Sequence, residues 1–192
     1  MPALIYIHGF NSSAGSHKAM LLRERMRLHG IENTLSVPQL PADPHESVRR
    51  LEQEITDLDC DTVSLMGSSL GGYYATWLAE KYSLRAVLIN PAVYPYTLLN
   101  EYQGENTNPY TGEAFFIDES YIETLKSLDI ASLSHPENFR VLLEKGDKVL
   151  NYREAADKFC QSHVKIFDGG SHEFVNFECQ IDDMLVYCGY SI

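Results

Sequence analysis

Residues 63–74 read V-S-L-M-G-S-S-L-G-G-Y-Y, an apolar run that ends in a cluster of glycines and two adjacent serines. The pentapeptide G-S-S-L-G within it matches the pattern G-x-S-x-G with Ser69 at the centre. Centring the pattern on Ser68 would put Met66 and Leu70 where glycines are needed. Such a turn joins a strand to a helix so tightly that glycines are required two residues on either side of the serine. The stretch therefore predicts a buried strand, a strained turn that exposes Ser69 as a nucleophile, and a helix whose amino end favours negative charge.

Apolar runs of strand length recur along the chain, and most of them do not alternate with polar residues. Besides 63–66, the runs lie at 4–7, 35–37, 86–89, 141–143 and 164–167. Continuous runs are typical of parallel strands that are buried on both faces. Segments with a helical period lie between them, such as the segment that places Val48, Leu51 and Ile55 on one face. This alternation predicts an α/β fold with an open, mainly parallel sheet of about six strands and helices on both faces.

Residues 93–138 interrupt this alternation, because the segment is far longer than a usual connection between two strands. It is rich in aromatic residues, among them Tyr94, Tyr110 and Phe115. The segment is either a decorated surface loop or a cap over a functional site. We favour the cap, since long ordered insertions usually carry function. The three aromatic residues are then candidates for substrate binding.

A serine nucleophile needs a general base and a carboxylate that orients the base. In α/β-hydrolases the acid and then the histidine follow the serine, on loops after later strands. Asp147 follows the fifth apolar run and His172 follows the sixth, so both occupy the expected places. We therefore predict Ser69, Asp147 and His172 as the catalytic residues. Glu144 and Asp168 are the next candidates for the acid.

Two backbone N–H groups are predicted to stabilise the negative oxygen of the transition state. The first strand ends in H-G-F at residues 8–10, and in this fold the loop after that strand supplies one N–H group. The residue after the nucleophile supplies the other. These are the N–H groups of Phe10 and Leu70. His8 is expected to anchor the loop rather than to act as a base.

Composition narrows the range of partners. The 192 residues fit one domain and carry 15 basic and 27 acidic side chains, for a formal charge of -12. That field repels nucleic acids and anionic membrane surfaces, so we expect neither as a partner. The charge says little about a small neutral molecule, and the predicted catalytic residues imply a small-molecule acyl ester or thioester as the substrate. No apolar run approaches the roughly 18 residues that a membrane span needs, and we see no secretion signal.

The spacing of the cysteines and histidines bears on the cellular compartment and on whether the protein binds a metal. Four scattered cysteines without a C-x-x-C pair favour a cytoplasmic protein with reduced thiols. No cluster of histidines and carboxylates has metal-ligand spacing, so we expect no metal and no other cofactor.

Several stretches together resemble the YqiA-type bacterial esterases, a small family of α/β-hydrolases. They are Y-I-H-G-F-N-S-S at 6–13, P-Q-L-P at 38–41, M-G-S-S-L-G-G-Y-Y-A-T-W-L at 66–78, N-P-A-V at 90–93, N-P-Y-T-G at 108–112, G-D-K-V-L-N-Y-R at 146–153 and G-G-S-H-E-F at 169–174. The resemblance covers essentially the whole chain. It implies a compact α/β-hydrolase over residues 1–192 with a triad of Ser69, Asp147 and His172. It also implies that the chain cleaves acyl esters or thioesters.

Two other functions stay open on the sequence alone. The first is a catalytically idle protein that keeps the fold and binds a ligand, because a fold does not guarantee chemistry. The second is a lyase or a C–C bond hydrolase that uses the same three residues. A fluorophosphonate probe separates the idle protein from an active hydrolase. A panel of esters, thioesters and β-dicarbonyl compounds separates the remaining classes.

Overall fold

The computed structural model describes residues 2–58 and 62–192. Its strands are β1 (Ala3–Ile7), β2 (Leu35–Ser36), β3 (Val63–Ser68), β4 (Arg85–Ile89), β5 (Gly104–Thr107), β6 (Ala114–Ile117), β7 (Phe139–Glu144) and β8 (His163–Phe167). Within the described residues, six of them form one sheet in the order β2-β1-β3-β4-β7-β8. Every neighbouring pair in this sheet is parallel. The open parallel sheet that the apolar runs predict is therefore present.

Helices cover both faces of this sheet. They are α1 (His17–Leu28), α2 (Pro44–Asp57), α3 (Leu70–Tyr82), α4 (Pro95–Leu99), α5 (Glu119–Ser127), α6 (Tyr152–Lys158) and α7 (Phe177–Tyr187). Helices α1 and α7 share an apolar cluster with Leu4 and Tyr6, whereas α2, α3, α5 and α6 share the opposite cluster with Ile5 and Ile7. Successive residues of β1 thus point to opposite faces and are all buried, which explains why its sequence does not alternate. In the described part of the chain, no helix is both long and apolar enough to cross a bilayer.

The start of helix α2 and its buried face both follow from its local sequence. The Asp43 carboxylate accepts a hydrogen bond from the N–H of Glu46 at 2.9 Å, and a proline follows Asp43 in the first turn. Both features are typical helix starts. Val48, Leu51 and Ile55 are buried, as their spacing predicts. The polar face is left to solvent, so the helix packs on the sheet along one stripe.

The long segment between β4 and β7 has regular structure of its own. It contains α4, the antiparallel hairpin β5–β6 and α5, with Gly104 paired to Ile117 in the hairpin. The sequence did not predict this hairpin. Helix α5 buries Ile122 and Leu125 in the same apolar cluster as α2 and α3. Part of the segment is thereby built into the core.

The two edge strands of the six-stranded sheet, β2 and β8, are short or exposed to solvent. Strand β2 has only two residues. In the part of the chain that the structure describes, β8 pairs only with β7, and all five of its residues are exposed or half-exposed. An edge strand as short as β2 offers few unpaired backbone groups to strands of other molecules. The loop that carries His172 follows β8 directly.

Candidate active site

Ser69 lies between the end of β3 and the start of α3, with φ 56° and ψ -122°. Residues other than glycine rarely adopt this conformation, which persists only where the surrounding structure enforces it. Here the N–H of Ser69 donates to the carbonyl of Ile89 at 3.1 Å, and its own carbonyl accepts from the N–H of Ala92 at 3.1 Å. Strand β4 and the segment after it therefore hold the serine in its strained turn.

The glycines of the G-x-S-x-G pattern allow close approaches of the backbone. A Cβ on Gly67 would collide with the carbonyl of Gly71, and a Cβ on Gly71 would collide with the carbonyl of Ile7. The helix α3 thus touches the end of β1 at Gly71. A Cβ on Gly72 would lie 2.7 Å from the Cβ of Pro91. Gly72 therefore makes room for the segment that follows β4.

Ser69, His172 and Asp147 form one hydrogen-bonded row. Nδ1 of His172 lies 2.7 Å from Oδ2 of Asp147, and Nε2 of His172 lies 3.1 Å from Oγ of Ser69. An ionised carboxylate can only accept, so Nδ1 donates its proton to Asp147. In the neutral ring Nε2 then accepts from the serine hydroxyl. The three residues come from loops after β3, β7 and β8 and meet at the carboxyl ends of those strands.

The Asp147 carboxylate is held in its ionised form. Its side chain is only 2% exposed, and burial alone would raise the pKa of the carboxyl. Hydrogen bonds from His172 and from the N–H groups of Leu150 and Val149 outweigh that effect, so the pKa lies below its ordinary value. The carboxylate therefore keeps its negative charge beside the imidazole at neutral pH.

The two predicted N–H donors flank the serine. Leu70 is the first residue of α3, where a backbone N–H has no partner within the helix. Phe10 follows Gly9, and a Cβ on Gly9 would lie 3.2 Å from the Cβ of Ser69. The loop after β1 thus runs against the serine. Among the described residues, no acceptor takes a hydrogen bond from the N–H of Phe10 or of Leu70.

His8 holds this loop in place. Its Nδ1 donates to the carbonyl of Gly9 at 3.0 Å, and its Nε2 accepts from the N–H of Leu40 at 3.2 Å. Burial lowers the pKa of His8, against the opposing effect of the bond to Gly9. The ring is therefore neutral, as its acceptor role at Nε2 requires.

A cleft of about 140 Å³ opens beside Ser69 and His172, and Tyr110 lies in its wall. Lys18 also borders the cleft, where its ammonium group donates to the carbonyl of Glu173 at 2.9 Å. Most of the other wall residues are polar too. The cleft can therefore hold a small ligand with polar groups next to the serine.

The structure places the three aromatic candidates in different surroundings. Tyr110 lines the cleft. Phe115 packs edge-on against Phe10, with ring centroids 5.9 Å apart, and lines a separate cavity of only about 30 Å³. Tyr94 lies at a third cavity beside Asp129 and is not brought to the cleft. Of the three, Tyr110 is thus the one that borders the space beside Ser69.

Glu144 has a place at the site that the sequence did not reveal. The sequence suggested it only as a substitute acid, yet its carboxylate accepts hydrogen bonds from the loop that carries His172. Asp168, the other substitute, lies 90% exposed in an ion pair with Lys145. A glutamate at the end of a buried strand was the available signal, but three of the donors are backbone N–H groups of Ser171, Val175 and Asn176, which leave no mark in the sequence.

Within 2–58 and 62–192, no group of three or more histidine, cysteine, aspartate or glutamate side chains is arranged to hold a metal ion.

Residues 3–188 match the model of an uncharacterised protein family, UPF0227. The chain belongs to this family. The UPF0227 protein YcfP of Escherichia coli is 25% identical over 181 residues, which cover 90% of this chain and 91% of YcfP. The resemblance inferred from the sequence is thus confirmed.

Solved structures show the same fold. Alpha/beta hydrolase domain-containing protein 10 from mouse has a TM-score of 0.72 at 20% identity, over 96% of this chain and 89% of its own. An esterase from Pyrococcus furiosus has a TM-score of 0.66 at 13% identity, over 98% of this chain and 80% of its own. The predicted α/β-hydrolase fold of this UPF0227 protein is thereby confirmed.

Proposed function

We propose that this chain is a serine hydrolase that cleaves acyl esters or thioesters through an acyl-enzyme. The observation that carries the proposal is the hydrogen-bonded row from Asp147 through His172 to Ser69, built on a strained turn at the wall of a cleft. A row of this kind is what nucleophilic catalysis by serine requires. The esterase and the hydrolase among the structural relatives fit the same class by analogy of fold.

In the proposed reaction each of these groups has a distinct role. Nε2 of His172 takes the proton of Ser69 as Oγ attacks the acyl carbonyl, and the N–H groups of Phe10 and Leu70 donate to the oxygen that becomes negative. Asp147 stabilises the imidazolium that forms. The imidazolium then gives its proton to the departing alcohol or thiol, which leaves the acyl group on Oγ. Water that loses a proton to His172 releases the carboxylic acid and restores the serine.

Residues 93–138 are proposed as the cap of a single domain. The turn of the β5–β6 hairpin reaches the loop after β1, where the side-chain amide of Asn108 donates to the carbonyl of Ser12 at 3.0 Å. Tyr110, two residues on, lines the cleft, and Phe115 of β6 packs on Phe10. The hairpin therefore lies beside both the proposed nucleophile and one proposed N–H donor.

Ser69→Ala and Ser68→Ala form a matched pair for testing the function. Labelling by a fluorophosphonate probe and turnover of a short-chain aryl ester should vanish in Ser69→Ala, because the nucleophile is gone. The adjacent Ser68→Ala protein should still label, which shows that the loss is specific to one hydroxyl. Undiminished turnover in Ser69→Ala, or a wild-type protein that neither labels nor turns over any substrate, would contradict the proposal.

A substrate panel decides the bond type. Esters, thioesters and β-dicarbonyl compounds of matched acyl length should be compared at the same enzyme concentration. We expect turnover of esters or thioesters that depends on Ser69. Turnover confined to the β-dicarbonyl compounds would replace ester hydrolysis with C–C bond cleavage.

A further inference from the structure

Glu144 is a fully buried carboxylate that takes no part in the proton transfers described above. It is the last residue of β7, and its exposed fraction is 0%. A buried carboxylate is unfavourable unless hydrogen bonds satisfy its oxygens. The hydrogen bonds to its oxygens therefore indicate what the buried carboxylate does.

Among the described residues, four hydrogen bonds reach this carboxylate, and all of them come from the loop that contains His172. Oε2 accepts from the N–H groups of Ser171 at 2.7 Å and Val175 at 3.1 Å. Oε1 accepts from the main-chain N–H of Asn176 at 3.0 Å and from its side-chain amide at 2.7 Å. The donors lie on both sides of His172 in the chain. One carboxylate thus pins the loop before and after the imidazole.

Asn90, just after β4, also holds this loop, by donating hydrogen bonds to carbonyl groups of the loop. Its side-chain amide donates to the carbonyl of Ser171 at 2.9 Å and to that of His172 at 3.3 Å. Its Oδ1 accepts from the N–H of Glu144 at 2.9 Å. Asn90 and Glu144 are both buried and are joined to each other. Glu144 binds N–H groups of the histidine loop and Asn90 binds its C=O groups, so the loop is fixed to the carboxyl ends of β7 and β4.

The loop needs such support because it begins with two glycines. Gly169 and Gly170 have φ of 69° and 78°, and glycine loses more conformational freedom on folding than any other residue. A Cβ on Gly170 would collide with the carboxylate of Glu144. The backbone therefore passes directly against the buried carboxylate, and only glycine allows that approach.

We propose that Glu144 is a positioning residue that braces the loop of residues 171–176, so that Nε2 of His172 stays within hydrogen-bond distance of Ser69. The proposal rests on the proposed function, since it concerns the base of that reaction. A role as the acid partner of His172 does not fit, because the Nδ1 proton is already donated to Asp147 and both Glu144 oxygens are taken by loop donors.

Glu144→Gln tests the brace with little change in size. One oxygen becomes an NH₂ group that faces loop N–H groups, so hydrogen bonds are lost and donors oppose each other. Misplacement of a catalytic group by about 1 Å costs on the order of 100-fold in rate. We expect kcat to fall roughly 10- to 100-fold while KM changes little, because the walls of the cleft stay in place. Glu154→Gln, at an exposed position of α6, should leave both constants unchanged.

A spectroscopic readout separates positioning from general damage. The low-field proton resonance of the Nδ1–H between His172 and Asp147 should be sharp in the wild type and broadened or lost in Glu144→Gln. Thermal melting checks that the variant is folded. A folded Glu144→Gln protein with wild-type kcat and an unchanged resonance would overturn the proposal.

Asn176→Ala covers the case in which Glu144→Gln does not fold. It removes the side-chain donor at 2.7 Å and keeps the carboxylate with its three backbone donors. We expect a smaller loss, about 2- to 5-fold in kcat, again with KM kept. An unchanged kcat here would refute the brace. If Ser69→Ala instead keeps full turnover, the proposed function fails, while the Nδ1–H resonance of the variants still reports on the brace.

Discussion

Replacing Ser69 by glycine measures the free energy stored in the turn that presents it. At φ 56° and ψ -122° a residue with a Cβ is strained, and such strain costs of the order of 1–3 kcal/mol. Glycine adopts these angles readily. Alanine keeps the Cβ and so keeps the strain, which makes Ser69→Ala the reference. Both variants lack the hydroxyl, so neither should turn over substrate.

Two effects reduce the gain expected from glycine. The unfolded chain gains freedom when alanine becomes glycine, which costs about 0.4–1 kcal/mol of stability. Burial of one methyl carbon is also lost, worth at most about 0.8 kcal/mol and less here because Ser69 is half-buried. Mid-range values leave Ser69→Gly more stable than Ser69→Ala by about 1 kcal/mol. In a chain of 192 residues this raises Tm by roughly 2–4 °C.

Urea unfolding and thermal melting of the two variants and the wild type provide the measurement. Ala131→Gly, at an exposed position without positive φ, is the control for the entropy of the unfolded chain and should lower stability. If Ser69→Gly were no more stable than Ser69→Ala at equal m-values, the turn would store no appreciable strain. That result would refute the strain inferred for the turn at Ser69.

Further predictions follow from Asp147 and the cysteines. Asp147→Asn should lower kcat on an aryl ester by about 10³- to 10⁴-fold, because the amide can favour the wrong imidazole tautomer; a near-normal rate would assign the acid role to another carboxylate. Hydrogen bonds from His172, Leu150 and Val149 outweigh the effect of burial and keep the pKa of Asp147 below its ordinary value. The same lowered pKa stabilises the fold above about pH 4, and a pH titration of stability should show this contribution vanish as Asp147 is protonated at lower pH. Burial raises the pKa of Cys188 to about 12, so iodoacetamide followed by peptide mapping should modify exposed Cys160 and Cys179 and spare Cys188 in the native protein.

The sheet and its nucleophile turn were predictable because their physics is local. Strands covered on both faces need continuous apolar runs, and the close contacts at Gly67 and Gly71 admit no side chain. The hairpin β5–β6 was missed because it does not arise from local sequence. Its first strand reads G-E-N-T, which has neither alternation nor β-branched apolar residues. Pairing with β6 and the packing of Phe115 on Phe10 create that strand, and both are tertiary effects.

The meeting of Ser69, Asp147 and His172 was predictable because the carboxyl ends of parallel strands share one edge of the sheet. The surroundings of that row were not. The path of residues 93–138 decides that Tyr110 borders the cleft and Tyr94 does not, and the sequence carries no measure of that path. The contacts of Glu144 depend on the course of a loop backbone, which side-chain patterns do not encode.

The exposure of β8 bears on fluctuations of the native state. An edge strand with one neighbour and no fully buried residue belongs to the least protected part of a fold, where local opening costs less than global unfolding. Opening of β8 would leave β1, β3 and β4 paired, while Glu144 and Asn90 keep their hydrogen bonds to the histidine loop. Amide hydrogens of β8 should therefore exchange with solvent well before those of β3.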